Sequence, residues 1–157
     1  MRILFVCMGN ICRSPTAEGV MRALLREEGF EGRIELDSAG TGGWHAGDPP
    51  DARAIAAART RDIELDGAAR QVTVADFDRF DLILAMDREN ERDLLALAPD
   101  GAARAKVRLL REFDPAAVAA GEFDVPDPYF GGAQGFERVL DLVTAACRGV
   151  LDEVRVA

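Results

Sequence analysis

Histidine is almost absent from this chain: His45 stands alone among 157 residues. Metal centres built on imidazole draw on two or three histidines, so the count argues against one, and no metal or other cofactor is expected. Cysteine is scarce too. Cys7, Cys12 and Cys147 make no disulfide framework, which fits a reducing compartment. Positive charge is in deficit, 19 basic against 28 acidic residues for a net −9, so nucleic acid is not an expected partner. Long apolar runs are missing. Ile3 to Val6 is too short for a signal-peptide core and nothing approaches a membrane span, so no membrane partner and a cytoplasmic location are expected. Repeats, linkers and low-complexity stretches are also lacking. With 48% hydrophobic residues, residues 1–157 read as one globular domain.

What is present begins at the N-terminus. Ile3 to Val6 runs apolar and β-branched, as a buried strand does. Ser14-Pro15-Thr16-Ala17-Glu18 carries cap-type residues, an early proline and an acid, the signature of a helix start. Between them lies Cys7-Met8-Gly9-Asn10-Ile11-Cys12-Arg13. The Cys-x5-Arg spacing alone would arise by chance in about one chain in three of this composition. Its setting gives it meaning, because loop amides converging at a helix N-terminus bind anions. Such a site also lowers a cysteine's pKa and makes it a nucleophile. Cys7 is therefore the candidate nucleophile, with Arg13 as a bidentate clamp on phosphoryl oxygens that lysine could not copy. Gly9 leaves room where a side chain would obstruct, and Asn10 tolerates a left-handed backbone. Cys7 as a small buried strand-end residue is the bland alternative.

A thiolate attacking a phosphate ester needs a proton donor for the leaving oxygen. Asp127 is the candidate, held between Pro126 and Pro128, with Tyr129 and Phe130 placed to wall a pocket and desolvate the carboxyl. An Asp between prolines is otherwise a turn residue. Trp44 follows Gly42-Gly43 and precedes His45-Ala46-Gly47-Asp48-Pro49-Pro50, a loop composition that favours exposure and a substrate-facing role.

Strands and helices alternate along the chain. Strands are expected at 3–6, 33–37, 82–86 and 106–110, and helices at 14–28, 51–61, 88–97 and 136–154, with Pro115 to Ala120 as alanine-rich helix or turn. This pattern predicts an α/β, three-layer sandwich: a central four-stranded parallel sheet with helices on both faces. The Cys7 loop would lie at a strand's carboxyl end.

These segments together resemble the low-molecular-weight protein tyrosine phosphatases. Cys7-Met8-Gly9-Asn10-Ile11-Cys12-Arg13-Ser14 and Asp127-Pro128-Tyr129 carry the resemblance most strongly. Asp37-Ser38-Ala39-Gly40-Thr41, Ala69-Arg70-Gln71, and Ala85-Met86-Asp87 with Asn90 add further stations. The resemblance implies hydrolysis of protein phosphotyrosine through a phosphocysteine on Cys7, with Asp127 as acid and then base. It implies that residues 8 to 13 and Ser14 hold the phosphoryl group and thiolate, and that Asn10 and Ser38 support the loop. Trp44 and Tyr129 would wall the slot, and Cys12 would protect Cys7 through a reversible disulfide. Cys147 would be inert core. The implied partners are a phosphotyrosine protein, such as a bacterial tyrosine kinase, and phosphate or other oxyanions; a monomer is expected. Gly67 replaces a histidine found in many relatives, and Tyr129-Phe130 replaces a paired tyrosine. An arsenate reductase of this fold needs two further thiols after residue 80, and residues 80 to 97 hold none. An arginine phosphatase branch tends to carry threonine where this chain has Ile11.

Overall fold

The architecture was obtained as a computed structural model that describes residues 1–129 and 131–155. Phe130, expected as a pocket wall, lies outside the described residues. Four strands, β1 (Arg2–Cys7), β2 (Glu35–Gly40), β3 (Leu82–Ala85) and β4 (Val107–Leu109), form one parallel sheet in the order β2-β1-β3-β4. Around them stand α1 (Arg13–Glu27), α2 (Ala52–Arg59), α3 (Asp76–Arg79), α4 (Arg88–Leu97), α5 (Gly101–Ala105), α6 (Pro115–Ala120) and α7 (Ala133–Arg155). A 3-10 turn, Leu110–Phe113, follows β4 directly.

Side chains on a strand alternate faces, so β1 divides its apolar residues between two cores. Ile3, Phe5 and Cys7 join the layer filled by α1 and α7, whereas Leu4 and Val6 pack against Phe77, Phe80 and Leu94 on the other side. Both faces of β1 are thus covered, which accounts for its unbroken apolar run. On α7, Phe136, Val139, Leu140, Val143, Ala146, Cys147, Val150 and Leu151 form one buried stripe at helical spacing. Gly149 lets this helix close on the 3-10 turn: a Cβ there would fall 1.8 Å from the Phe113 carbonyl oxygen.

The chain leaves β1 toward β2 on one side and β3 toward β4 on the other, so the order reverses between β1 and β3. Crevices at such reversals, at the carboxyl ends of strands, are where open α/β sheets bind ligands. The β1–α1 loop lies there.

Several boundaries differ from the sequence expectation. β2 runs over 35–40, not 33–37, because its register is set by pairing Arg2 with Glu35 and Cys7 with Gly40, while Gly32 turns the chain just before it. The helix expected over 51–61 stops at Arg59, with Asp62 in the left-handed region soon after. β4 is shorter than 106–110 because Leu110 begins the 3-10 turn, and α7 starts at Ala133 rather than Phe136. The helix start at Ser14 also needs correction. α1 begins at Arg13, no side chain caps it, and no acid lies in its first turn. The Ser14 hydroxyl is used elsewhere.

Candidate active site

The β1–α1 loop wraps around the Cys7 sulfur. Its Sγ accepts the Asn10 backbone N–H at 3.3 Å and lies 3.0 Å from the Ser14 hydroxyl. Asn10 holds this turn with φ at 57°, the left-handed conformation expected of it. Among the described residues, the N–H groups of Met8, Gly9, Ile11, Cys12 and Arg13 find no acceptor in the protein. These donors surround Cys7 at the head of α1, a combination that attracts an anion.

Asn10 also organises the hydrogens around it. Its Oδ1 accepts the backbone N–H of Arg70 at 3.0 Å, so its Nδ2 faces the other way, donating to Ser14 Oγ at 2.8 Å and Ser38 Oγ at 3.0 Å. Having accepted from Asn10, the Ser14 hydroxyl directs its own proton to the nearer remaining acceptor, the Cys7 sulfur, rather than to the Ala39 carbonyl at 3.5 Å. The loop is braced from β2 as well: Gly42 N–H meets Met8 O, and Thr41 N–H meets Cys7 O. Gly40 permits this approach, since a Cβ there would stand 2.6 Å from the Met8 carbonyl oxygen. Gly9 has no left-handed backbone; its freedom is steric, because a Cβ would press the His45 ring at 3.1 Å.

Arg13 is buried, and its guanidinium donates to Asp87 Oδ2 at 2.6 Å and to the Val125 carbonyl at 3.0 Å. Burial alone would lower its pKa, but the Cys7 sulfur and Asp87 outweigh that and raise it, so the cation is secure. Asp87 sits at the end of β3 and caps α4 through Asn90 N–H at 2.7 Å. The second guanidinium nitrogen of Arg13 lies 3.9 Å from Asp127 Oδ2.

Cys7, Met8, Gly9, Ile11, Cys12, Arg13, Trp44, His45, Asp127 and Tyr129 enclose one cavity of about 280 Å³. That is close to the small end of ligand pockets and suits a single aryl phosphate group. Trp44 is 74% exposed and rises over the mouth as its loop composition predicts. The sequence expectation of a desolvated Asp127 is not met: its side chain is 35% exposed at the rim, and its Oδ1 accepts the Tyr129 N–H at 3.0 Å. Cys12 is buried, and burial, then Asp51 and Cys7, push its thiol up to about 12. Cys147 is wholly buried in the α1–α7 layer, and burial alone raises its pKa.

This arrangement has known counterparts. The sequence matches the family described as low molecular weight phosphotyrosine protein phosphatase over residues 2–157. The chain belongs to that family. A low molecular weight protein-tyrosine-phosphatase of Streptomyces coelicolor is 52% identical over 98% of this chain and 93% of its own. The crystal structure of a protein tyrosine phosphatase from Entamoeba histolytica, with Hepes in its active site, superposes with a TM-score of 0.94 at 36% identity, covering 99% of this chain and 97% of that one. The YwlE arginine phosphatase, in a mutant whose active-site serine is phosphorylated, superposes at 0.86 with 26% identity over 99% and 96%.

Of the residues singled out in the sequence, Cys7, Met8, Gly9, Ile11, Cys12, Arg13, Trp44, Asp127 and Tyr129 line the cavity, while Asn10 ties Ser14 and Ser38 together beside the Cys7 sulfur. Four further participants had been assigned no role in the site, although the resemblance already touched Arg53, Arg70 and Asp87. His45 lines the cavity, and Asp87 anchors Arg13. Arg70 fixes Asn10, and Arg53 lies over the Tyr129 ring at 5.4 Å while pairing with Asp51. Asp87 also carried a local signal, an acid between a central strand and a helix start. Among the described residues no group of three or more His, Cys, Asp or Glu side chains is arranged to hold a metal ion.

Proposed function

We propose that this phosphatase hydrolyses phosphotyrosine in proteins in two steps at Cys7. The observation that carries the reading is the meeting of Cys7, Arg13 and Asp127 in one small cavity beside Trp44 and Tyr129. In the first step the Cys7 thiolate attacks phosphorus and the tyrosine phenolate leaves, taking a proton from Asp127. Arg13 and the unspent loop amides hold the equatorial oxygens as charge builds there. In the second step Asp127 takes a proton from water, whose oxygen attacks phosphorus and frees phosphate and Cys7. Ser14 hydrogen-bonds the thiolate, Asn10 and Ser38 hold the loop shape, and Trp44 and Tyr129 flank the aryl ring. Cys12 serves Cys7 under oxidation, forming a disulfide with it and releasing water from the sulfenic acid.

An aryl ester is favoured over a phosphorylated arginine because Ile11 presents an apolar side chain to the cavity. No helix among the described residues is long and apolar enough to cross a membrane, and we place the protein in the cytoplasm of a bacterium, as a monomer acting on a tyrosine-phosphorylated protein such as a tyrosine kinase. The test is hydrolysis of phosphotyrosine, phosphoserine and phosphoarginine peptides at pH 5 to 7 with EDTA, comparing wild type with Cys7→Ser. Turnover of the phosphotyrosine peptide that disappears in the variant is the expected result. Faster turnover of phosphoarginine would reassign the substrate, and turnover in Cys7→Ser equal to wild type would remove the cysteine from the chemistry.

A further inference from the structure

Arg111, in the 3-10 turn after β4, is buried, yet among the described residues it meets no carboxylate within 4 Å. Its one side-chain hydrogen bond runs from Nη1 to the Asp124 carbonyl at 2.8 Å, and its Nε has no partner. A guanidinium taken out of water without a counter-charge is costly, so something must be gained by keeping it there. The carbonyl it holds lies three residues before Asp127. The next carbonyl, Val125 O, is held by Arg13 at 3.0 Å, and Val125 N–H bonds to Met86 O at 2.8 Å. Pro126 and Pro128 have no N–H to offer, so the segment is held by the Asp124 and Val125 carbonyls, the Val125 N–H and the Asp124 carboxylate, whose Oδ1 accepts the Arg88 N–H at 3.0 Å. Beyond Val125, the fixed φ of Pro126 limits how Asp127 can move relative to that anchor.

We propose that Arg111 is a positioning residue for the reaction: by gripping the Asp124 carbonyl it holds Asp127 in place over the Cys7 loop. The proposal rests on the reading of Asp127 as proton donor. Cys7, Ser14 and the loop amides are held by β2 and residue 70, and Arg13, which shares the Val125 carbonyl with this segment, keeps its bond to Asp87, so anion binding should change far less than proton donation.

The test uses the full chain with Arg111→Met, which keeps the stem and volume, and Arg111→Lys, which keeps a donor. The first measurement is kcat/KM over aryl phosphates of graded leaving-group basicity. Arg111→Met should lose about tenfold on phenyl phosphate and less than about twofold on a dinitrophenyl ester, because only the poor leaving group needs a well-placed acid. Arg111→Lys should recover most of that loss, and inhibition by inorganic phosphate should weaken by no more than about twofold. Amide exchange at Val125 should quicken in Arg111→Met, whatever the activity. Equal loss across the series, a loss of phosphate affinity as large as the loss on phenyl phosphate, or unchanged Val125 exchange would each overturn the proposal. If Arg111→Met does not fold, the lysine variant decides by the same slope: a loss independent of leaving group overturns the assignment. Asp127→Ala separates the two readings. If that variant alone shows no leaving-group dependence, Asp127 is not the donor; if it does, adding Arg111→Met should cost nothing more.

Discussion

The backbone N–H of Arg70 donates to Oδ1 of Asn10 at 3.0 Å, and through that bond a residue sixty positions away orients the proton of Ser14. With the Asn10 amide so turned, Ser14 can only accept from it, and against a Cys7 thiolate its own hydrogen goes to the sulfur at 3.0 Å in preference to the Ala39 carbonyl at 3.5 Å. The thiolate thus gains a fixed donor in addition to the loop amides.

Ser14→Ala should therefore slow the chemistry without emptying the site. A hydrogen bond to a charged group contributes about 1.5–3 kcal/mol, so kcat should fall about 10- to 100-fold while KM changes little. Alkylation of Cys7 by iodoacetamide at pH 6 should slow in parallel. A fall in KM-dependent binding with intact kcat would place Ser14 on the substrate rather than on the sulfur.

Arg13 joins three elements that the sequence holds far apart: the loop itself, Asp87 after β3, and the Val125 carbonyl. Arg13→Lys keeps the charge but loses the fork needed for oxygens and partners together. The expected outcome is a loss of at least about 100-fold in kcat/KM, roughly 3 kcal/mol of transition-state stabilisation. Inorganic phosphate should inhibit this variant more weakly. Wild-type inhibition by phosphate would mean that the loop amides alone hold the anion.

These dependencies mark where the sequence was readable. The strand, loop and first helix are contiguous, so the apolar run of β1 and the residues from Cys7 to Ser14 disclosed both a fold and a site. Asp127 was legible through its flanking prolines, although its expected enclosure was not, because exposure at a rim depends on what packs opposite. Ser38-Ala39-Gly40 has weak strand propensity, and its inclusion in β2 follows from pairing with β1 and a bridge from Gly40 to Gln71. Arg70 reaches the loop through its backbone N–H, and Arg111 reaches the Asp127 segment through one carbonyl of Asp124. No residue pattern along the chain announces such contacts.

The thiols should separate cleanly by chemistry. Cys12 is pushed up to about 12 by burial, Asp51 and the Cys7 sulfur, so beside reduced Cys7 it is a poor nucleophile, and oxidation of Cys7 removes one of those three causes; Cys147 is sealed in the core. One equivalent of iodoacetamide at pH 7 should therefore label Cys7 alone, with inorganic phosphate protecting it. Peroxide should oxidise Cys7 to the sulfenic acid, which Cys12 converts to a disulfide; dithiothreitol should then restore activity. In Cys12→Ser that recovery should fall, because the sulfenic acid is left open to further oxidation. Equal recovery in both proteins would leave Cys12 as packing beneath the loop.

The last expectation concerns acid. Arg70 forks onto Asp76 with both contacts at 3.0 Å and also binds Asp37, which ties α3 to β2 and holds the segment whose own Arg70 N–H orients Asn10. Burial would raise the Asp76 pKa, but the Arg70 hydrogen bond and the Thr73 N–H overcome it and hold the carboxyl below its ordinary 3.8. A depressed folded-state pKa means stability that is fully present above 3.8 and lost as pH falls through the folded value. Asp76→Asn should be less stable than wild type at pH 7 by about 1–2 kcal/mol, since Arg70 is partly solvated. The gap in melting temperature should begin to close as pH drops below about 4, where the Asp76 carboxyl of the unfolded chain takes up its proton before that of the folded protein. Thermal melts from pH 3 to 7 check this directly: a gap that stays constant with pH would mean that Asp76 acts through shape and not through charge.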